Sequence, residues 1–315
     1  MVRRSKKKIR VAIVGCGKIA GGYDESRSRS RGKIRTHVKA YLSDRRFEVV
    51  AVCDQSLAKA RRFCRRWKIP AAYRDLEAML AREQPDVVSV CVPTSAHREV
   101  IETIARHPVR LVFAEKPLTG SVRDANKVLR HLKQRKISVA VNYLRRWCPN
   151  HGKIKVIIDS GKLGRLRSFD GLYQGSLAHI GSHLIDLISW LAGPIRLVRG
   201  EEVVLKSGVT GYVEHGSRDA FVLELLFERG LVRLSRYGYS GECVLWSGSK
   251  PKTLYRFKAP SGGIDFAMKH AVANIGDHLT RRASLASAAD GAVRTLRVIE
   301  AFRKSGRRHK TVVLP

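Results

Sequence analysis

The sequence predicts an α/β protein. An N-terminal Rossmann-type, doubly wound parallel sheet is followed by an α+β domain with a mostly antiparallel open sheet. Three observations carry this. Short runs rich in Val and Ile alternate with helically spaced segments through the first half. A glycine-rich turn follows the first of those runs, and the second half breaks into alternating apolar and polar segments punctuated by Gly. A length of 315 residues suits two domains, read as a dinucleotide-binding domain over 8–145 and a substrate-binding and oligomerisation domain over 146–315.

In order, the first half gives strands at 9–14, 48–53, 87–92, 111–114 and 138–142. Helices are expected at 57–67, 75–83, 97–107 and 122–136. Strands this continuous in β-branched residues belong in a sheet covered on both faces. In the second half a helix around 154–160 ends at Gly161, and another over 182–191 stops before Gly193-Pro194. Strands follow at 201–205, 220–227, 231–239 and 242–246, and late helices around 265–280 and 287–304 close the chain.

A hydrophobic content of 44% excludes an intrinsically disordered chain, and no apolar run approaches the roughly 20 residues of a membrane-spanning helix. The twin arginine Arg3-Arg4 is followed only by Val11-Ala-Ile-Val before glycines, too short for an export signal, so a cytoplasmic protein with no membrane partner is expected. Lys and Arg number 61 against 27 Asp and Glu, a net charge of +34, with concentrations at 3–10, 27–35 and 61–68. Such a surface adsorbs polyanions with strong salt dependence. No helix-turn-helix, zinc-finger or RNA-recognition signature accompanies it, so it is read as a surface property and no specific nucleic-acid partner is expected. A polyanion-binding protein is the rival that this charge motivates. Cys16, Cys53, Cys64, Cys91, Cys148 and Cys243 show neither C-x-x-C pairing nor metal-ligand spacing with His, so free thiols and no metal are expected.

The first strand runs into Gly15-Cys16-Gly17-Lys18-Ile19-Ala20, a G-x-G-x-x-A turn expected to open a helix. Gly15 permits the tight turn, Gly17 admits a pyrophosphate against the backbone, and Ala20 allows close helix–strand packing. Lys18 and Ile19 complete this cofactor loop. The next strand ends in Asp54, the carboxylate expected on ribose hydroxyls, at more than the usual spacing of about 20 residues. Residues 21–33 are read as an inserted surface loop, after which 36–42 resumes the helix. Asp54 favours NAD, since a carboxylate repels a 2′-phosphate; nearby Arg61 and Arg62 leave NADP open. The alternative for Asp54 is a helix cap.

Phe113-Ala114-Glu115-Lys116-Pro117 is more specific. A strand ending in Glu-Lys-Pro downstream of a nucleotide loop resembles the Gfo/Idh/MocA oxidoreductases, relatives of glucose–fructose oxidoreductase and inositol dehydrogenase. Val92-Pro93-Thr94 with His97 looks like that family's loop beside the cofactor. Asn142-Tyr143-Leu144-Arg145-Arg146 resembles its strand exit into the substrate cleft, and Gly181-Ser182-His183-Leu184-Ile185-Asp186 its glycine–histidine–aspartate helix start. The resemblance covers nearly the whole chain. It implies an NAD(P)-dependent oxidoreductase acting on a sugar, sugar acid or nucleotide-linked sugar, assembled as a dimer or tetramer. A cofactor-binding protein without catalysis is the alternative.

The resemblance implies that Lys116 serves the substrate oxygen, with Glu115 positioning its amine; Pro93, Thr94, His97, Glu115 and Lys116 then border the cofactor. His183 is the acid/base candidate, because an imidazole titrates near neutrality. Asp186, one helical turn on, is placed to orient its ring. Many family members carry an Asp four residues before this histidine; here His179 stands there, as a substitute proton carrier or a merely packed side chain. Adjacent Arg145 and Arg146 suit bidentate binding of a substrate carboxylate or phosphate. Asn142, Tyr143 and Tyr173 complete the expected substrate set.

Overall fold

The computed structural model describes residues 7–25, 32–216, 221–247, 250–258, 263–306 and 310–315. The arginines expected to crowd the inserted loop at 27, 29 and 31 lie outside these, as do Arg3, Arg4 and Ala220. The chain forms two compact units, Met1–Asn142 with Asp265–Ala289, and Tyr143–Ile264 with Asp290–Pro315.

The first unit is a six-stranded parallel sheet of β1 (Ile9–Val14), β2 (Phe47–Cys53), β3 (Ala71–Tyr73), β4 (Val87–Val90), β5 (Leu111–Ala114) and β6 (Ser138–Val141). Its spatial order is β3-β2-β1-β4-β5-β6, the doubly wound arrangement in which ligands sit outside the carboxyl ends where the order reverses, here between β1 and β4. Every residue of β4 and β5 is buried, which is why these runs are apolar without alternation but for Ser89. The helices are α1 (His37–Leu42), α2 (Leu57–Trp67), α3 (Leu76–Glu83), α4 (Thr94–Ile104) and α5 (Val122–Gln134). Ser56, Asp75 and Ser121 cap α2, α3 and α5, each side chain accepting a backbone N–H of the first turn.

Two expectations are corrected in this unit. The glycine turn does not open a continuous helix: Gly21 N–H and Gly22 N–H both return to the Gly17 carbonyl, and the chain leaves after one turn. The excursion then rejoins the same line, for His37 N–H donates to the Ile19 carbonyl and Val38 N–H to the Ala20 carbonyl. The inserted loop thus interrupts one helix whose continuation is α1. The second correction concerns the boundary. α8 (Ala267–Arg281) belongs to the first unit and not to the expected 146–315 domain. Arg46 holds it, with Nη1 donating to Asp277 at 2.7 Å and Nη2 to the Ala273 carbonyl at 3.1 Å. Long-range polar anchors of this kind leave no local sequence signal.

The second unit carries α6 (Pro149–Asp159), β7 (Leu166–Tyr173), α7 (Ser182–Leu191), β8 (Ile195–Arg199), β9 (Glu202–Leu205), β10 (Thr210–His215), β11 (Phe221–Phe227), β12 (Gly230–Ser235), β13 (Ser240–Ser247), β14 (Lys250–Lys258), α9 (Ala289–Ser305) and β15 (Val312–Val313). The sheet has nine strands in the order β14-β13-β12-β11-β7-β10-β9-β8-β15. It is antiparallel except for β7 with β10. β7, β8, β10, β14 and β15 were not foreseen. α7 packs its Leu184, Leu187 and Ile188 into a core with Phe169, Leu223 and Leu225. A Cβ at Gly171 would stand 3.0 Å from Leu184, so that glycine lets the helix approach the sheet.

His151 on α6 is fully buried, with Nε2 3.0 Å from the Gly238 carbonyl. Burial, reinforced by the Arg145 charge, pulls its pKa down to about 4. The unfolded chain takes up this proton below about pH 6.5, so the stability that the neutral ring contributes is complete above that pH and is lost as the pH falls toward 4. Urea unfolding at pH 7 and pH 4 should show about 3 kcal/mol of this loss traceable to His151. In His151→Asn the acid slope in that window should flatten.

Candidate functional site

At the carboxyl end of β1 the backbone is forced into a shape only glycine adopts without strain. Gly15 has φ +93°, and a Cβ there would lie 2.6 Å from the Cys91 carbonyl oxygen. Its N–H donates to the Cys53 carbonyl at 2.7 Å, tying the turn to β2. Gly17 is different: a Cβ on it would meet nothing within 4 Å. The amides of Gly17, Lys18, Ile19 and Ala20 donate to no backbone acceptor among the described residues. Lys18 is exposed and Ala20 buried. An open space lined by backbone N–H groups is the cradle that a pyrophosphate needs, although the helix behind it is a single turn.

Asp54 follows β2. Its Oδ2 accepts from Cys16 N–H at 2.9 Å and from Lys59 Nζ at 3.0 Å, and its Oδ1 accepts from Ser56 N–H at 3.0 Å. Burial raises its carboxyl, but these donors and the Lys59 charge outweigh that, so it stays ionised below the ordinary range. Both readings of this residue hold in part: it braces the turn before α2, and a carboxylate's remaining lone pairs can accept from hydroxyls. Pro93 is exposed and stands as the N-cap of α4, with Thr94 as its first residue. His97 is enclosed, Nδ1 3.1 Å from the Leu118 carbonyl and Nε2 3.0 Å from the Val92 carbonyl. It fastens two loops, which does not fit the expected contact with a cofactor.

Glu115 and Lys116 leave the end of β5, and the Lys116–Pro117 peptide is cis. Glu115 Oε1 accepts from Asn142 Nδ2 at 2.7 Å and lies 3.0 Å from His37 Nε2. Burial pushes the Glu115 carboxyl up; the His37 contact, Asn142 and the Lys116 charge more than offset it, and its pKa lies below the ordinary range. Asn142, expected on the substrate, is 2% exposed and committed to Glu115 and the Met268 sulfur. Behind His37, Nδ1 is 3.1 Å from Ser89 Oγ, which is 2.9 Å from the Tyr41 hydroxyl. His37, Ser89 and Tyr41 went unrecognised as site residues. The available signal was His37 and Tyr41 four apart on α1, hence on one face.

In the second unit the expected partners are rearranged. Arg146 Nε donates to both Asp186 oxygens at 3.0 Å, and Nη2 lies 2.9 Å from Oδ1. Asp186 is therefore engaged by Arg146, where it was expected to orient His183. Burial raises its carboxyl while Arg146 pulls against that shift. Arg145 is 6% exposed, its guanidinium 4.3 Å from the Phe221 ring centroid, with Nη2 donating to the Tyr237 carbonyl at 2.8 Å. Both arginines serve the protein's interior, so the expected anion clamp on a substrate is not formed by them. His183, 8% exposed, meets the buried Tyr143 ring edge-on at 5.8 Å between centroids. His179 is exposed on a π-helical turn, Leu177–Gly181, that leads into α7. Tyr173, at the end of β7, is 8% exposed and packs edge-on with His215.

Comparison with known proteins decides between readings of this geometry. Residues 9–143 match the model of an oxidoreductase family with an NAD-binding Rossmann fold. These residues belong to the Gfo/Idh/MocA family. Among relatives, D-apiose dehydrogenase from Paraburkholderia graminis is 24% identical over 98% of this chain and 90% of that protein. D-glucoside 3-dehydrogenase from Escherichia coli is 27% identical over 59% of this chain and 54% of that protein. Among solved structures, levoglucosan dehydrogenase in complex with NADH and L-sorbose superposes with a TM-score of 0.82 at 16% identity, over 98% of this chain and 99% of that one. The WlbA dehydrogenase from Bordetella pertussis, in complex with NADH and UDP-GlcNAcA, gives 0.79 at 17% identity over 99% of each. These structural likenesses show the fold. The matched family is NAD-binding, and the open amides and the space at Gly17 fit the pyrophosphate of such a cofactor.

Arg146 and Asp186 should behave as a buried pair. Arg146→Met strands the carboxylate and should lower the unfolding free energy by about 3–5 kcal/mol in denaturant titrations. The double variant Arg146→Met/Asp186→Leu should recover most of that loss. A single variant as stable as wild type would contradict the pairing.

Proposed function

We propose that this chain is an NAD-dependent oxidoreductase acting on a secondary hydroxyl or keto carbon of a sugar, sugar acid or nucleotide-linked sugar. NADP remains open, because Lys59 partly neutralises the Asp54 charge that would repel a 2′-phosphate. The observation that carries the reading is the anchored Glu115–Lys116 pair at the end of β5, in the same unit as a glycine turn with room for a pyrophosphate. Relatives support it: D-apiose dehydrogenase, a dTDP-3,4-didehydro-2,6-dideoxy-alpha-D-glucose 3-reductase and D-glucoside 3-dehydrogenase are among the proteins this chain resembles. They favour catalysis over a non-catalytic cofactor-binding protein.

In this reading the amides of residues 17–20 hold the pyrophosphate, Asp54 accepts from ribose hydroxyls, and Pro93 and Thr94 border the nicotinamide end. The nicotinamide group, when bound, supplies the hydride acceptor or donor. Lys116 Nζ donates a hydrogen bond to the reacting substrate oxygen, and the His183 imidazole takes or returns the hydroxyl proton. Both are proposed as catalytic residues, and His179, exposed one turn earlier, carries that proton onward to solvent. Tyr143 backs the His183 ring, and Tyr173 borders the substrate. The protein works in the cytoplasm as a homo-oligomer, dimer or tetramer. The exposed Tyr212, Leu226 and Trp246 on the second unit's sheet support such an interface. No helix among the described residues is long and apolar enough to cross a membrane.

The test is turnover. Sugars, sugar acids and nucleotide sugars are screened for absorbance change at the nicotinamide band, in about 0.3 M salt to suppress adsorption to the basic surface. One substrate class should react, and Lys116→Ala and His183→Ala should each lower kcat by roughly 10²–10⁴-fold on it. Turnover that survives Lys116→Ala unchanged would overturn the assignment.

A further inference from the structure

Glu115 sits at the end of a continuous run of buried polar groups that the proposed chemistry does not use. Tyr41 and His37 are fully buried on α1, and Ser89 is fully buried on β4. The ionised Glu115 carboxylate can only accept, so His37 Nε2 carries the proton at that contact, and Nδ1 lies 3.1 Å from Ser89 Oγ. Ser89 Oγ in turn lies 2.9 Å from the Tyr41 hydroxyl. The ring is also packed on Phe113, centroid to centroid 4.5 Å, which fixes its plane. The run joins α1, β4 and the end of β5 through buried side chains. It is built on α1, the helix that the loop excursion interrupts, so the sequence returns to its helical line with a histidine placed against β5.

We infer that His37 is a positioning residue for Lys116: by clamping the Glu115 carboxylate through one hydrogen bond, it fixes the negative charge carried by the residue that directly precedes Lys116. This rests on the proposed role of Lys116 and adds to it the element that sets the state of its amine. The Lys116 charge is one of the effects that keep Glu115 ionised, and coupling between two charges is mutual. The titratable groups around Glu115 are His37 from α1, Lys116 next in the chain, and Cys91 after β4, whose thiol is pushed up by burial and then by Glu115; Tyr41 reaches it through Ser89. Asn142 holds the carboxylate from the other side and is uncharged.

The experiment reads Lys116 directly, without turnover. The full-length, ligand-free protein is acetylated with trace acetic anhydride across a pH series, and modification of Lys116 is followed by peptide mass spectrometry. In Glu115→Gln the pH of half-maximal modification should fall by about one unit, the size of effect that a neighbouring opposite charge exerts. In His37→Leu it should fall by at least about half as much, since a released carboxylate rotates away or takes up a proton. His37→Gln, whose side-chain amide can donate in place of Nε2–H, should restore most of the wild-type value. If His37→Leu melts early, Ser89→Ala, which releases the ring at Nδ1 alone, should give a shift of the same sign. A wild-type midpoint in His37→Leu, or in Ser89→Ala where the former does not fold, would overturn the inference. Failure of the functional reading looks different: turnover persists in Lys116→Ala while the labelling shifts remain.

Discussion

At Gly15 the chain passes so close beneath the Cys91 carbonyl that no side chain fits, and it does so at a positive φ. This close passage stands at the point where the strand order reverses. Gly15 N–H bonds to Cys53 at the end of β2, and Cys91 N–H bonds to Val14 at the end of β1, so three strand ends are tied together there. Their carboxyl ends then open on one side, and the groups that follow them face a common edge: the Gly17 amides after β1, Asp54 after β2, Pro93 after β4, and Glu115–Lys116 after β5. The functional constellation of the first unit is a consequence of that closure.

The buried charges of the two units follow one rule. The two buried carboxylates are each held by side chains from elsewhere in the chain. Glu115 is held by His37 and Asn142, and Asp186 by Arg146 over a separation of 40 residues. A buried ion without such partners costs several kcal/mol, which explains why the arginines that sequence alone would assign to a substrate are used inside. Over the whole chain 61 basic side chains stand against 27 acidic ones, so the net positive charge is balanced largely by counter-ions.

Features set by local chemistry were legible in the sequence. The parallel sheet was readable because strands buried on both faces must be continuously apolar, and the glycine turn because only Gly tolerates the backbone at position 15. The inserted loop and the return of its helix at α1 were also readable, from the spacing between Ala20 and Asp54. What escaped depended on distant partners. α8 was assigned to the wrong unit because Arg46 and Asp277 are separated by 231 residues. Asp186 was given to His183 because they share a helix, whereas Arg146 claims it through bidentate geometry that no spacing reveals. Strands β7 and β10 carry exposed polar residues on one face and were hidden among the loops.

The most direct test of this account is NADH affinity in Gly17→Ala beside wild type, by fluorescence titration in about 0.3 M salt. A methyl group at position 17 meets no atom of the described residues within 4 Å, so the variant should unfold at the wild-type temperature. If the turn is the pyrophosphate cradle, that methyl occupies ligand space, and affinity should fall by at least about tenfold, some 1.4 kcal/mol. Equal affinity in the two proteins, or no saturable binding by wild type, would contradict the assignment of the Gly15–Ala20 turn to the cofactor.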